Sequence, residues 1–291
     1  MNKALGFIGL GVMGFPMAGH LSMQNKNIFV FNRTNEKSKA WNKKYNGTIC
    51  NSLEDVAKSS DVIFLCVGND NDVRKIICGD CGIINYLKQG SIIVDHTTTS
   101  AELSEEMNKL LSTKNISYID APVSGGEAGA QKGQLSIMAG GDKESYDLIK
   151  KILASYSKHT KYMGPSGSGQ LTKMVNQICI AGLIQALAEG INFSKKVGLN
   201  SADVLEVVSK GAAQSWQMEN RWKSMLEDDY DHGFAVDLMR KDLDIVINKA
   251  KEQNISIDIT KTINDFYKDI QKAEGGRWDT SSLLRRLEKL T

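Results

Sequence analysis

The sequence predicts an α/β protein in which a domain with a parallel sheet is followed by an all-helical domain. Over the first 165 residues, short apolar runs alternate with helical patterns, the order typical of parallel sheets. A G-x-G-x-x-G motif follows the first of these runs. After Gly169 the apolar residues recur only at helical spacing. We therefore expect a Rossmann-type domain over residues 1–165, joined through a long helix to an all-α domain over residues 166–291.

The first domain is predicted to contain six strands, most of them near-continuous apolar runs that suit burial on both faces of a sheet. They are Ala4–Ile8, Ile28–Phe31, Val62–Val67, Ile92–Asp95, Ile116–Asp120 and Leu135–Ala139. Helical patterns fill the gaps at Met13–Met23, Glu36–Tyr45, Leu53–Ser59, Ala101–Leu111 and Lys143–Leu153. Thr99-Ser-Ala-Glu102 has the spacing of a capping box, in which Thr99 and Glu102 would satisfy amides at the start of the helix over 101–111.

Helical spacing predicts five helices in the second domain. They are Leu171–Val197, Ala202–Val208, Val236–Gln253, Ile259–Lys272 and Ser281–Leu290. The first would be about 40 Å long at 1.5 Å per residue, long enough to link two domains. The cluster Gly164-Pro-Ser-Gly-Ser-Gly169 precedes it and marks the transition, as Gly and Pro clusters do.

Composition excludes several function classes. The 36 Lys and Arg residues nearly balance 34 Asp and Glu, and the net charge of +2 does not support a nucleic-acid or membrane-surface partner. No apolar run approaches the ~20 residues of a membrane span, and no cleavage site follows the apolar start. The five cysteines are an odd number, and Cys78-Gly-Asp-Cys81 has no second pair or clustered His beside it. We expect a cytoplasmic protein without a membrane partner, a disulfide framework or a metal.

The glycine motif has the strand–loop–helix context that dinucleotide binding requires. In Gly9-Leu-Gly11-Val-Met-Gly14, Gly9 would allow the tight turn, Gly11 would let the backbone approach a pyrophosphate, and Gly14 would permit close helix packing. We expect the loop to bind the cofactor through Gly9, Leu10, Gly11, Val12, Met13 and Gly14.

The end of the second strand indicates which dinucleotide binds. An acidic residue there would bond the ribose 2′-hydroxyl of NAD, whereas this chain has Asn32, Arg33 and Thr34. Arg33 is suited to a 2′-phosphate, with Asn32 and Thr34 as further donors. NADP is therefore favoured. A solvent-facing Arg33 or dual specificity stays open, so NAD remains an alternative cofactor.

Two further motifs contain residues that could take part in substrate binding or catalysis. Asp120-Ala-Pro-Val-Ser-Gly-Gly126 follows a strand, and the Gly125 and Gly126 amides with the Ser124 hydroxyl could form a nest for a carboxylate. An ordinary Pro/Gly turn is the alternative. Gly164-x-x-Gly167-x-Gly169-x-x-x-Lys173 brings a lysine to the first turn of the long helix, among apolar neighbours. A snorkelling surface lysine is the alternative there.

With Lys241-Asp242-Leu243, these motifs resemble the β-hydroxyacid dehydrogenases over nearly the whole chain. The resemblance implies that Lys173 is the general acid/base. It also implies that Ser124, Gly125 and Gly126 hold a substrate carboxylate, with Asn176 and Gln177 nearby. Which of these two amides contacts the substrate stays open. The resemblance further implies cofactor contacts at Val67, Thr98 and Lys241, and a homodimer or homotetramer.

The expected activity is NADP-dependent hydride transfer between a small carboxylated aldehyde, a semialdehyde or glyoxylate, and its hydroxy acid. Two alternatives stay open: a 6-phosphogluconate-dehydrogenase-like oxidoreductase and a non-catalytic NADP(H)-binding sensor. Asn176 stands where the former group usually has a histidine, and Lys173 argues against the related imine reductases.

Overall fold

The computed structural model describes residues 3–24 and 27–289. The chain divides into two compact units, Met1–Lys173 and Met174–Thr291. The strands are β1 (Leu5–Ile8), β2 (Ile28–Phe31), β3 (Thr48–Ile49), β4 (Val62–Leu65), β5 (Ile92–Asp95), β6 (Ser117–Asp120), β7 (Val123–Ser124), β8 (Leu135–Gly141) and β9 (Ser157–Gly164). The helices that begin in the first unit are α1 (Gly14–Gln24), α2 (Asn35–Lys44), α3 (Leu53–Ser59), α4 (Asp70–Cys78), α5 (Ala101–Ser112), α6 (Gly126–Gln131), α7 (Lys143–Leu153) and α8 (Ser168–Lys196). Those of the second unit are α9 (Ser201–Val208), α10 (Trp216–Leu226), α11 (Val236–Glu252), α12 (Asp258–Lys272) and α13 (Leu283–Lys289).

The strands of the described residues form one sheet in the order β3-β2-β1-β4-β5-β6-β8-β7, with β9 paired to β8. From β3 to β6 all pairs are parallel, and Leu5 of β1 lies opposite both Ile28 and Val62. The chain adds β2 and β3 on one side of β1 and then β4 to β6 on the other. Ligands of such sheets bind at this reversal, outside the carboxyl ends of β1 and β4. The predicted fold class, a Rossmann-type sheet domain followed by helices, is confirmed.

Every predicted helix and strand is present, and its bounds agree with the structure to within three residues. The last predicted helix, Ser281–Leu290, corresponds to a 3-10 turn and α13, and Leu290 lies outside the described residues. Because α8 begins at Ser168, Lys173 lies in its second turn rather than its first.

Two expectations about the first unit are wrong. The strand over 135–139 runs antiparallel to β6 and β7, because the segment between β6 and β8 forms β7 and the short α6 instead of a crossover helix. The expected capping box is also displaced. Ser100, not Thr99, is the N-cap of α5 and accepts from Leu103 N–H, and the Thr99 amide donates to Gln170.

The sheet is buried on both faces because alternate residues of each strand point to opposite sides. Phe7 and Phe64 belong to one core cluster. Ile8, Ile63 and Leu65 belong to a second cluster on the other face. Core side chains therefore cover the sheet on both of its faces.

The helices of the second unit surround their own core, to which α8 contributes Ala181, Ile184, Ala188 and Ile191. By length and composition α8 is long and apolar enough to cross a membrane, contrary to the expectation that no apolar run approaches a membrane span. Packing in a core explains such a helix equally well, and these four side chains are buried in that way.

Candidate functional site

The glycine loop between β1 and α1 is shaped by two glycines that the protein's own packing requires. Gly9 has a φ of +102°, and a Cβ added there would lie 2.2 Å from the Cys66 carbonyl oxygen. A Cβ on Gly14 would lie 1.9 Å from the Gly9 carbonyl oxygen. A Cβ on Gly11, by contrast, would meet no protein atom within 4 Å. Since packing does not require glycine at position 11, the residue fits the role of letting a pyrophosphate approach the backbone.

The other loop residues differ in their burial and in their hydrogen bonds. Leu10 buries its side chain in the core, and its N–H donates to Asn32 Oδ1 at 2.8 Å. Val12 is exposed, and Met13 packs half-buried against the core. The Asn32 amide also donates to the Thr34 carbonyl at 3.0 Å. Asn32, expected as a cofactor contact, therefore ties the glycine loop to the end of β2 with its own side chain.

Arg33 and Thr34 lie exposed at the beginning of α2. Thr34 is the N-cap residue, and its hydroxyl makes no capping bond. Across residues 3–24 and 27–289 no hydrogen bond or ion pair engages Arg33. A helix N-terminus favours anions through its amides and dipole. The chemistry here suits a phosphate, although Glu36 adds a negative charge in the first turn of the helix.

The loop after β5 carries three threonines beside Val67. Val67 N–H donates to Thr97 Oγ1 at 3.1 Å, and Thr97 N–H donates to Asp95 Oδ1 at 2.9 Å. Thr98 lies between two buried threonines and is itself half-exposed. Val67 and Thr98, both expected to contact a cofactor, thus lie on loops joined by a hydrogen bond.

Gln170 was not predicted as a site residue. Its side chain is fully buried. Its Nε2 donates to the Thr97 carbonyl at 2.8 Å, and its Oε1 accepts from Thr99 N–H at 3.1 Å. The sequence offered one indication of its role. Gln170 lies three residues before Lys173 on α8, and residues three apart are neighbours on the surface of a helix.

Asp120 caps the start of α8 from the end of β6. The carboxylate is fully buried and accepts from Gly167 N–H at 2.9 Å and Gln170 N–H at 3.0 Å. Burial raises the pKa of Asp120 to about 6, and these backbone donors limit the rise.

Lys173 reaches back from α8 to the sheet. Its side chain is only 7% exposed, and Nζ donates to the Val123 carbonyl at 2.9 Å. Val123 directly precedes Ser124, which is half-buried at the end of β7. Gly125 and Gly126 then turn the chain with φ values of +131° and +60°. The structure therefore brings a lysine amino group to the backbone that leads into a glycine turn, a combination suited to a carboxylate and a proton transfer.

His96 is buried, and both nitrogens of its ring form hydrogen bonds. Its Nδ1–H donates to the Ala121 carbonyl at 2.6 Å, and its Nε2 accepts from the Tyr156 hydroxyl at 2.8 Å. Burial lowers the pKa of His96 to about 4, so the ring is neutral near pH 7. Within the described chain no group of three or more His, Cys, Asp or Glu residues could hold a metal ion.

In the second unit the predicted residues form a chain of polar contacts. The Gln177 side chain is 1% exposed, and its Nε2 donates to Asp242 Oδ2 at 2.6 Å. Asn176 Nδ2 donates to Gln177 Oε1 at 2.8 Å, and Lys241 Nζ lies 3.0 Å from Asp242 Oδ1. The buried Asp242 carboxylate was not expected as a site residue, although it belongs to the motif around Lys241. It fixes the Gln177 amide, whereas Asn176 is the more exposed of the two amides.

Two family models cover most of the chain. One, described as the NAD binding domain of 6-phosphogluconate dehydrogenase, matches residues 4–164. The other, described as NAD-binding of NADP-dependent 3-hydroxyisobutyrate dehydrogenase, matches residues 167–287.

Known proteins match over nearly their whole length. A protein of Shewanella frigidimarina named as an uncharacterized oxidoreductase is 50% identical over 283 residues, 97% of either chain. The 2-(hydroxymethyl)glutarate dehydrogenase of Eubacterium barkeri is 32% identical over 100% of this chain and 97% of its own. The crystal structure of 3-hydroxyisobutyrate dehydrogenase from Salmonella typhimurium superposes with a TM-score of 0.84 at 26% identity, covering 97% of this chain and 98% of that one.

Proposed function

The chain belongs to the β-hydroxyacid dehydrogenase family, and from this premise we propose that it is an NADP-dependent oxidoreductase of small carboxylated aldehydes and their hydroxy acids. The coarser activity, that of an NAD(P)-dependent 3-hydroxyacid dehydrogenase, follows from the family itself. The cofactor preference, the acid/base residue and the substrate class are the proposal.

The buried Lys173 amino group beside the turn at Ser124–Gly126 is the observation on which the proposal rests. Its bond to the Val123 carbonyl holds Nζ next to that turn. Bound NADPH supplies a hydride to a carbonyl carbon. Lys173 donates a proton to the carbonyl oxygen as negative charge develops there, and it accepts the proton back during oxidation.

The turn after β7 is suited to bind the carboxylate of the proposed substrate. The left-handed conformations of Gly125 and Gly126 suit a nest of backbone N–H donors, to which Ser124 adds a hydroxyl. A Cβ on Gly126 would meet no protein atom within 4 Å, so a ligand can approach this backbone closely. Held here, a carboxylate would keep the adjacent carbonyl group near Lys173. The name of the Eubacterium barkeri relative likewise describes a carboxylated hydroxy compound.

The residues at the end of β2 support the proposed preference for NADP. Arg33 offers a planar, permanently charged fork that matches a phosphate, and it lies at the N-terminus of α2, where anions are stabilised. Asn32 holds the glycine loop against the same strand end, which keeps the phosphate-binding backbone fixed.

We further propose that the enzyme acts in the cytoplasm on a small soluble substrate, as a homodimer or homotetramer and without a nucleic-acid or membrane partner. The balanced charge of +2 supports the absence of a nucleic-acid partner. The exposed Val175, Leu183 and Phe193 of α8 offer apolar surface to a second copy.

A matched pair of aldehydes tests the substrate class. We would follow NADPH and NADH oxidation at 340 nm with succinic semialdehyde, glyoxylate, tartronate semialdehyde and methylmalonate semialdehyde. Butanal is the control, because it has the four carbons of succinic semialdehyde without the carboxylate. We expect turnover of at least one carboxylated aldehyde, with NADPH preferred and butanal at least about 100-fold slower in kcat/KM. Equal rates with butanal would overturn the carboxylate assignment, and equal rates with NADH would overturn the cofactor assignment.

A further inference from the structure

Gln170 links α8, the helix that carries Lys173, to the loop formed by Thr97, Thr98 and Thr99, which we call the threonine loop. Its amide oxygen accepts from Thr99 N–H at 3.1 Å, and its amide nitrogen donates to the Thr97 carbonyl at 2.8 Å. The two bonds fall on either side of Thr98, so one side chain fixes the backbone on both flanks of that residue. The Gln170 side chain is fully buried, and both ends of its amide are used.

Asp120 fixes the same part of α8 from the other direction. Its two carboxylate oxygens accept from Gly167 N–H and Gln170 N–H. A Cβ on Gly140 would lie 2.7 Å from Asp120 Oδ1, and a Cβ on Gly169 would lie 2.8 Å from Asp120 Oδ2. These glycines let the helix start press directly on the carboxylate, so the first turn of α8 has little freedom to shift.

Lys173 follows Gln170 by three residues, close to one helical turn. A displacement of the Gln170 turn therefore moves the Lys173 backbone with it. The two bonds of the Gln170 amide thus connect the threonine loop to the helical turn that leads to Lys173.

We propose that Gln170 is a positioning residue for the reaction. It holds the threonine loop and Lys173 at a fixed separation. The inference rests on the proposed function, since it assigns Gln170 the task of aligning the group that transfers the proton. Misplacement of a reacting group by about 1 Å can cost 100-fold in rate, so the two hydrogen bonds matter for kcat more than for binding.

The test replaces Gln170 with Met, which has a similar length but donates and accepts no such bonds. Gln185→Met is the matched control, because Gln185 is also a buried amide of α8 and donates to Glu189 on the same helix. For each variant we would measure kcat, the KM for NADPH and the primary isotope effect with [4-²H]NADPH. We expect kcat of Gln170→Met to fall about 100-fold, the KM for NADPH to stay within about threefold and the isotope effect to rise. Gln185→Met should retain the wild-type kcat.

A kcat for Gln170→Met within about threefold of wild type would overturn the inference. Should the Met variant fail to fold, Gln170→Glu provides the test, because it keeps an acceptor for Thr99 N–H and loses the donor to the Thr97 carbonyl. We expect an intermediate kcat for it, and a wild-type kcat would again refute the role. Lys173→Met is measured in parallel. If it is inactive while Gln170→Met is normal, only the positioning role fails. If Lys173→Met keeps the wild-type rate, the proposed function fails and the inference with it.

Discussion

The glycine loop allows stability and cofactor binding to be separated by two alanine substitutions. In Gly14→Ala the new Cβ would lie 1.9 Å from the Gly9 carbonyl oxygen, a backbone atom that cannot rotate away. Overpacking of this kind costs about 1–3 kcal/mol of unfolding free energy. That loss lowers Tm by about 2–4 °C per kcal/mol in a domain of this size. In Gly11→Ala no protein atom lies within 4 Å of the new Cβ, so the stability change should stay within about 0.5 kcal/mol.

Gly11→Ala should weaken cofactor binding although it leaves the stability of the protein almost unchanged. If the pyrophosphate approaches the backbone at Gly11, the added methyl group intrudes on it, and we expect Kd for NADPH to rise at least about tenfold, or 1.4 kcal/mol. The assay is thermal unfolding with and without NADPH, combined with a calorimetric titration of each variant. At 100 times Kd the ligand raises wild-type stability by about 2.7 kcal/mol, and Gly11→Ala should show a much smaller gain. Wild-type affinity in Gly11→Ala would refute the assignment, as would an undiminished Tm in Gly14→Ala.

Two further predictions concern charged residues. We expect Arg33→Ala to lower kcat/KM with NADPH about 10- to 100-fold and to leave the NADH value unchanged, because only NADPH has the 2′-phosphate. Lys39→Ala removes another exposed positive charge, within α2, and is the control in steady-state assays. Arg285 and Lys289 lower the pKa of Asp228 to about 2, so this carboxylate stabilises the fold above about pH 4 and loses that effect as the pH falls through 2. Asp228→Asn should lower the free energy of unfolding, measured with urea, by about 1 kcal/mol at pH 7, after allowance for the partial exposure of Asp228. At pH 2 the free energy of unfolding should be almost unchanged.

Each prediction has an outcome that contradicts it. A parallel loss with NADH and NADPH in Arg33→Ala would mean that Arg33 does not recognise the 2′-phosphate. Asp228 has a φ of +56°, a conformation that Asn tolerates well, so Asp228→Asn changes the charge without straining the backbone. A stability difference that persists to pH 2 would therefore show that the ion pair with Arg285 is not its source.

The regular elements could be predicted because their apolar residues follow a period. All four residues of β4 are buried, and the sequence Val-Ile-Phe-Leu already indicates a strand covered on both faces. β9 could not be found this way, because it is an edge strand whose residues include Lys158 and Lys161, exposed to solvent. The direction of β8 likewise depends on how β7 and α6 fill the preceding segment, which local patterns do not report.

The candidate site was predictable where backbone chemistry demands a residue type. Gly9 and Gly14 are glycines because a Cβ would strike the backbone, and their spacing shows this in the sequence. The contact of Lys173 with Val123 could not be seen, since any residue supplies a carbonyl group. Gln170 was missed for a related reason: its partners are backbone atoms 71 and 73 residues away. Only the folded chain brings them together.

Single-turnover kinetics of Lys173→Met test the central claim most directly. The enzyme, saturated with NADPH, is mixed with the best carboxylated aldehyde, and the absorbance decay at 340 nm reports the hydride-transfer step. We expect the rate to fall about 10²- to 10⁴-fold, as for the loss of a general acid, while the Kd for NADPH stays within about twofold of wild type. A rate within about tenfold of wild type would contradict the assignment of Lys173 as the proton donor.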